Sequence, residues 1–438
     1  MDTPNPPISN TWPRWKQILF RFLFIYLLLQ VAPWTWLDSI PGVLGVTQYY
    51  YTLTDWAVDT ANKYVFHVRD VLVPLNGSGD TSYGWAQLWL YLSAAVIGCL
   101  IWSVLDRKRD NYERLDYWLR TFVRYYIAMI ALSYGIIKLF ALQMPFPNQS
   151  QLSTPLGDFL PMRLSWMFIG YSTPYQIFSG AMETLAGWLL LNRRTVTLGL
   201  FVATGVFINV TMINLCYDVP VKIFSMHLVL FCFFLLAYDN RRLLAFFVFN
   251  REAPANTSYC LSSTNIWIRL SRVTVKTLFI VLMVVLPLYN AWDMYKSEVN
   301  QTELKPIKAG IYDVRVFAVN KDTIPALTTD TVRWKDMIFE KSGLGSVNST
   351  DTLFRQRYRR GYFFYKPDTS NNTIAFVKIS ASFDSTYLFT ARYELPDSNT
   401  MKLWTTIHND SLYVELVRGK RQFQLAEKQF HWLSEYNR

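Results

Sequence analysis

The chain has 438 residues, 51% of them hydrophobic and 17% aromatic, with a formal net charge of +11. Its excess of Lys and Arg comes with no nucleic-acid motif and is assigned to membrane topology. Its four cysteines, Cys99, Cys216, Cys232 and Cys260, have neither redox nor metal spacing, which excludes a disulfide framework, a zinc site and a CxxC centre.

Near residue 295 the pattern shifts. Upstream, long apolar runs alternate with short basic loops; downstream, the sequence is polar and alternating. The opening MDTPNPPISNTWPRWKQILFRF is polar, then basic, as in a short cytoplasmic leader before a retained helix. A spanning helix needs about 20 mainly apolar residues. Seven stretches approach this: 15–37, 85–105, 122–142, 175–191, 195–215, 221–238 and 273–289, the fourth being the weakest match. Residues 49–73 read either as an amphipathic helix on the outer surface or as an ordered loop packed on the bundle. NGSGDTSYG at 76–84 reads as a turn. The Pro-rich 143–162 reads as a connector or as a lid over an outward-facing site. Residues 241–250 read as an interfacial helix and 253–264 as a polar linker.

The loop charges orient these spans. Arg14, Lys16 and Arg21 open the first. Arg107, Lys108, Arg109, Arg114, Arg120 and Arg124 lie between the second and third. Arg193 and Arg194 separate the fourth and fifth, and Arg241, Arg242, Arg251, Arg269 and Arg272 the sixth and seventh. The alternate loops carry only Lys63 and Arg69, then Arg163, then Lys222. The positive-inside rule puts the N-terminus in the cytoplasm and, after seven spans, the C-terminal part outside.

From about Lys308 the period becomes two. Strands are predicted at 311–320, 331–340, 361–367, 372–381, 387–395, 402–409 and 411–419, with a hairpin turn at His408-Asn409-Asp410-Ser411. The expected fold is a membrane all-α helical bundle over 1–295, N-in and C-out, then a small extracytoplasmic antiparallel β domain over 305–438, a sandwich or a barrel. The β domain shows no catalytic constellation and reads as a binding or structural module. The location is the cytoplasmic (inner) membrane, with the bilayer as one partner and the outer domain in the periplasm.

Ionisable residues inside a span are costly, and they mark candidate sites. Lys138 lies about a turn from the outer end of the third span, and Glu183 sits in the middle of the fourth. Asn209 and Asn214 are on the fifth, Asp218 is in the following turn, and Lys222 and His227 open the sixth. The predicted topology puts Lys138, Asn214, Asp218 and Lys222 in the outer half of the bilayer, with Glu183 and His227 deeper, so one outward-opening polar site can collect them. Lys138 and Glu183 read as a structural ion pair or as an acid–base pair. Asp218 caps the next helix, pairs with Lys222 or binds a ligand. Asn209 and Asn214 bond between helices or orient a ligand. His227 reads more readily as a packed, hydrogen-bonded residue than as a haem ligand, because His67, His408 and His431 lie outside the bundle. No metal or haem is predicted, and no phosphate loop, HExxH or GxSxG occurs.

The helix Arg124…Tyr134-Gly135-x-x-Lys138, Glu183 between Gly180 and Gly187, and the Arg193-Arg194 turn resemble the DoxX-like membrane proteins, over about 110–245. Asn209 to Lys222 (NVTMINLCYDVPVK) and the terminal FHWLSEYNR, Phe430 to Arg438, are similar to large DoxX-like proteins of Bacteroidota. More distantly, the Tyr-Gly-x-x-Lys helix resembles the membrane region of vitamin K-dependent gamma-carboxylases. The chain departs from the DoxX pattern in having seven spans instead of four and an added outer domain. The DoxX resemblance implies quinone-linked chemistry, and the carboxylase one implies Lys138 as a base. The expected function is a quinone-linked membrane oxidoreductase or a subunit of one. Lys138, Glu183 and Asp218 would handle protons, and Asn209, Asn214, Lys222 and His227 would hold the quinone. The alternative is a non-enzymatic envelope assembly or anchoring component whose β domain binds a membrane or periplasmic protein partner.

Overall fold

The structure, a computed structural model, describes residues 11–40, 45, 47–75, 77, 79–255, 265–327, 329–379 and 385–427. The leader's first ten residues, Asn76 and Ser78 of the 76–84 turn, most of the 253–264 linker with Cys260, and the terminal FHW motif lie outside them. The chain forms two compact units: Met1–Met144 with Ser172–Met294, and Pro145–Tyr171 with Tyr295–Arg438.

The helices in chain order are α1 Arg14–Val31, α2 Gln48–Ala61, α3 Ser82–Leu105, α4 Glu113–Leu139, α5 Gln149–Leu152, α6 Pro161–Tyr171, α7 Thr173–Leu190, α8 Val196–Cys216, α9 Lys222–Leu236, α10 Asn240–Phe247, α11 Ile266–Ile280 and α12 Leu286–Val299. Among the described residues, six helical runs are long and apolar enough to cross a membrane: Arg14–Asp38, Ser82–Leu105, Glu113–Leu139, Val196–Cys216, Lys222–Phe247 and Ile266–Val299. The protein is thus a multi-pass membrane protein by length and composition. The expected fourth span is α7, which is helical but is not among those six.

Where the boundaries differ from expectation, local chemistry explains it. The first helix stops at Val31 because Ala32 turns left-handed (φ 40°) and Pro33 brings no N–H; a 3-10 run follows from Pro33 to Ser39. The third span starts at Glu113 rather than 122, because its first two turns are helical but too charged for a hydropathy reading. The seventh runs unbroken from Ile266 to Val299. A π turn at Val281–Val285 precedes Pro287, whose ring would press on the carbonyl one turn back in a regular helix. Residues 49–73 are largely the helix α2 with a π turn at Asn62–Phe66, and 241–250 are largely α10.

The first unit's core is built from stripes at three- and four-residue spacing. On α7 the buried positions are Gln176, Gly180, Glu183, Ala186, Gly187 and Leu190. On α8 they include Leu200, Ala203, Phe207, Thr211 and Asn214, and on α9 Ser225, Leu228, Phe231, Cys232 and Leu235.

In the second unit the strands are β1 Gly310–Val319, β2 Asp322–Thr323, β3 Asp336–Phe339, β4 Leu344–Val347, β5 Arg355–Arg357, β6 Arg360–Asp368, β7 Thr373–Ile379, β8 Ser385–Glu394, β9 Thr400–Ile407 and β10 Asp410–Arg418. A short α13, Gln424–Glu427, follows. The order is β10-β9-β8-β7-β6-β4-β3-β1, and β1 also pairs with β10, so the sheet closes into an antiparallel barrel with β2 and β5 as side branches. Of the two β architectures expected, the barrel is the one formed. Its interior is filled by aromatic rings, including Phe339, Phe354, Phe363, Phe376 and Phe389, as befits a barrel this small. The predicted hairpin is present but its loop is shorter: His408 (φ 50°) and Asn409 (φ 72°) join β9 to β10, and Asp410 and Ser411 already belong to β10.

Residues 145–171, which take in most of the 143–162 stretch expected as a connector or lid, belong to this β unit. Asn148 and Gln151 form a reciprocal capping box on α5. Ser150 donates its N–H and its hydroxyl to Glu340 Oε1 at 2.9 and 3.0 Å. The β5–β6 turn places two bulky residues, Tyr358 (φ 53°) and Arg359 (φ 55°), in left-handed backbone, a strained choice that neighbouring contacts must hold. Those contacts are with the same segment. Arg163 Nε donates to Tyr358 Oη at 3.0 Å, the Tyr358 ring lies 5.2 Å from Phe159, and Arg359 pairs with Asp158 at 3.3 Å.

Candidate functional site

The predicted residues sort by helix phase. Glu183 lies on the buried stripe of α7 and Lys138 on that of α4; they are 2% and 7% exposed, and they form a buried salt bridge. The backbones come close enough for this because small residues line the seam. A Cβ on Gly180 would stand 2.7 Å from Gly135 O and 2.7 Å from Lys138 Cβ, and one on Gly187 would stand 2.7 Å from Leu132 Cγ. The contacts pair rising positions on α4 with falling positions on α7, so the two helices run antiparallel, in the small-residue packing common in membranes. Two buried oxygens beside the pair, Glu183 Oε2 and Thr184 Oγ1, have no hydrogen-bond partner among the described residues.

Asn214 is also buried, and its Nδ2 and Thr211 Oγ1, one turn away on α8, lack partners among the described residues. Asn209 does not join them. It lies two residues past buried Phe207, roughly 200° around the helix, and is exposed.

Asp218 is not part of a buried cluster either. Its side chain is 80% exposed at the α8–α9 turn (φ 51°), where its carboxylate pairs with Lys222 Nζ at 2.7 Å. Of the readings left open for it, pairing is the observed one. Capping of α9 falls to a residue the sequence reading missed: Asp80 accepts from Lys222 N at 2.7 Å and Ile223 N at 3.0 Å. Lys222 thus belongs to this exposed turn.

His227 is one residue off the α9 stripe, and its ring turns toward α1. Its Nδ1 lies 2.7 Å from Ile223 O and its Nε2 2.6 Å from Tyr26 Oη. A carbonyl only accepts, so Nδ1 carries the proton and Nε2 accepts from tyrosine. Both ring nitrogens are occupied, as expected for a packed histidine.

Two further polar residues were missed. Gln176, 1% exposed, bonds both Met144 N (3.0 Å) and Met144 O (2.7 Å) and so ties the end of the α4 segment to α7. Arg21, expected as a topology charge, is buried on α1 and donates to Tyr112 Oη, Ser103 Oγ and Asp106 O, a link from α1 to the α3–α4 region. The arrangement is therefore one buried charge pair in a tight helix seam, with Asn214 on the neighbouring helix and the other predicted residues elsewhere.

No family model matches the chain, and no solved structure matches it. Among curated proteins it is similar to "Uncharacterized protein YwoB" of Bacillus subtilis (strain 168), at 38% identity over 94 residues. The match covers 22% of this chain and 59% of that protein, less than two thirds of the relative's length.

Proposed function

We propose that this chain is a seven-span protein of the cytoplasmic membrane that anchors an extracytoplasmic β module and presents it to a protein partner. In this reading Lys138–Glu183 is the clamp between α4 and α7. One observation carries the proposal: Pro145–Tyr171, an inter-helix segment, forms one compact unit with the barrel. Both must then lie on the same side of the membrane. If only the six apolar runs crossed, 145–171 and the C-terminal domain would be on opposite sides. Counting α7 as a crossing returns them to one side, and its antiparallel seam with α4 supports that count. Arg193-Arg194 then falls on the other face, with the remaining basic loops, which supports a cytoplasmic N-terminus. The test is cellular. In a strain lacking the gene, the double variant Lys138→Met/Glu183→Leu restores the wild-type phenotype, and a chain lacking 305–438 does not. A double variant as defective as that deletion, though inserted at normal levels, refutes the anchoring role.

A second reading, the quinone-binding acid–base site implied by the DoxX-like resemblance, is favoured by the unpartnered Glu183 Oε2 and Thr184 Oγ1. A buried acid with an unused oxygen is a place for a proton or a ligand. The contacts of Asp218, Lys222 and His227 lend it no support. Adding menaquinone or ubiquinone to purified protein should raise its thermal midpoint, and Glu183→Gln should abolish the rise. An unchanged midpoint removes this reading.

A further inference from the structure

A cavity of about 660 Å³ opens at the opposite end of the α4–α7–α8–α9 bundle from Lys138, among the first turns of α4, the α7–α8 turn and the end of α9. Its size is within the range of about 300–1,000 Å³ usual for small-ligand sites. Five arginines line it: Arg120, Arg124, Arg193, Arg194 and Arg242. Two carboxylates stand against them. Asp116 pairs with Arg120 at 3.0 Å and accepts from the Tyr238 hydroxyl, and Asp239 pairs with Arg242 at 3.0 Å and accepts from Thr197 Oγ1 at 2.6 Å. Arg124 and Arg194 have no carboxylate partner among the described residues, so the lining keeps an excess of positive charge. In addition, Arg124 Nε is buried without a hydrogen-bond partner among the described residues. Topology-setting charges need only lie in a loop. They do not need to converge on one cavity, nor to include a guanidinium buried with an unused N–H.

We propose that this cavity binds an anionic phosphate group. Planar guanidinium forks match phosphate oxygens bidentately, and several forks around one pocket suit a ligand with more than one negative charge or more than one acceptor edge. In the proposed topology the cavity opens to the cytoplasmic leaflet, where basic pockets between helices take phospholipid headgroups. The leaflet rests on that topology; the binding does not. The phosphate has two possible sources, an anionic phospholipid or a soluble phosphate.

The experiment uses the delipidated full chain in a neutral detergent, with thermal midpoint and native mass spectrometry as readouts. The probes are dioleoylphosphatidylglycerol, dioleoylphosphatidylcholine and inorganic pyrophosphate. Phosphatidylglycerol should raise the midpoint and stay bound where phosphatidylcholine does not. A response to pyrophosphate alone assigns the site to soluble phosphates. In Arg124→Gln/Arg194→Gln the apparent affinity for the active probe should fall about tenfold or more, as expected for losing charge-assisted bonds. If that variant does not fold, Arg194→Gln alone, at the exposed turn, should still weaken binding. Arg124→Lys, which keeps the charge but loses the fork, should fall between. No preference for either anionic probe over phosphatidylcholine, or wild-type binding in the glutamine variants, overturns the proposal.

Discussion

Replacing Glu183 by Leu leaves the Lys138 ammonium enclosed between α4 and α7, 7% exposed and without its carboxylate. Breaking a buried pair by removing one partner costs about 3–5 kcal/mol, whereas replacing both by apolar groups of similar volume is neutral or stabilising by up to about 4 kcal/mol. Glu183→Leu and Lys138→Met should each destabilise by about 3–5 kcal/mol, and the double variant should regain most of the loss. A double-mutant cycle isolates the coupling. The assay is reversible unfolding in mixed micelles, followed by circular dichroism. Glu183→Gln, which keeps an acceptor for the ammonium, should cost less than Glu183→Leu. Single variants within about 1 kcal/mol of wild type, below the range for a broken buried pair, would refute the clamp. So would a double variant as unstable as the sum of the singles.

Gly180→Ala inserts a methyl 2.7 Å from Gly135 O and 2.7 Å from Lys138 Cβ. It should cost about 1–3 kcal/mol by overpacking in the same unfolding assay; a neutral result would mean the seam is looser than described. Asp80→Ala removes the α9 cap and should cost about 0.5–2 kcal/mol, with faster hydrogen exchange at the Lys222 and Ile223 amides as the local readout. Glu340 is held above the ordinary glutamate value, chiefly by burial, against the Ser150 N–H and hydroxyl that favour the charged form. Its folded-state value exceeds its unfolded one. The stability it contributes is therefore full below the ordinary glutamate value and is lost as pH rises through the raised one. The wild-type minus Glu340→Gln difference in unfolding free energy should follow that decline; a difference flat with pH contradicts it.

Helix phase explains much of what was legible in the sequence. Glu183 was found because a charge in an apolar run is conspicuous, and its partner because Lys138 had the matching depth. Asn209 and His227 were misgrouped because depth alone says nothing about rotation: one sits two residues past Phe207, the other one residue before Leu228. The cap on α9 was out of reach, since Asp80 lies 142 residues from the amide it caps. The seven period-two strands were readable, but closure through β1 and β10 joins the domain's two ends and has no local signature. The helices of 145–171 and its union with the barrel had no local signature. Its helices are short, its prolines read as loop, and its role depends on Glu340 and Tyr358, far along the chain.

In the proposed topology 145–171 and the barrel share one side of the membrane, with Arg193-Arg194 on the other. Single cysteines at Leu156, Asn409 and Arg194, in a background lacking the four native cysteines, test it with a membrane-impermeant maleimide on intact cells and on inverted vesicles. All three positions are exposed. Leu156→Cys and Asn409→Cys should label in intact cells, and Arg194→Cys only in inverted vesicles. Labelling of Leu156→Cys and Asn409→Cys from opposite sides would rule that topology out.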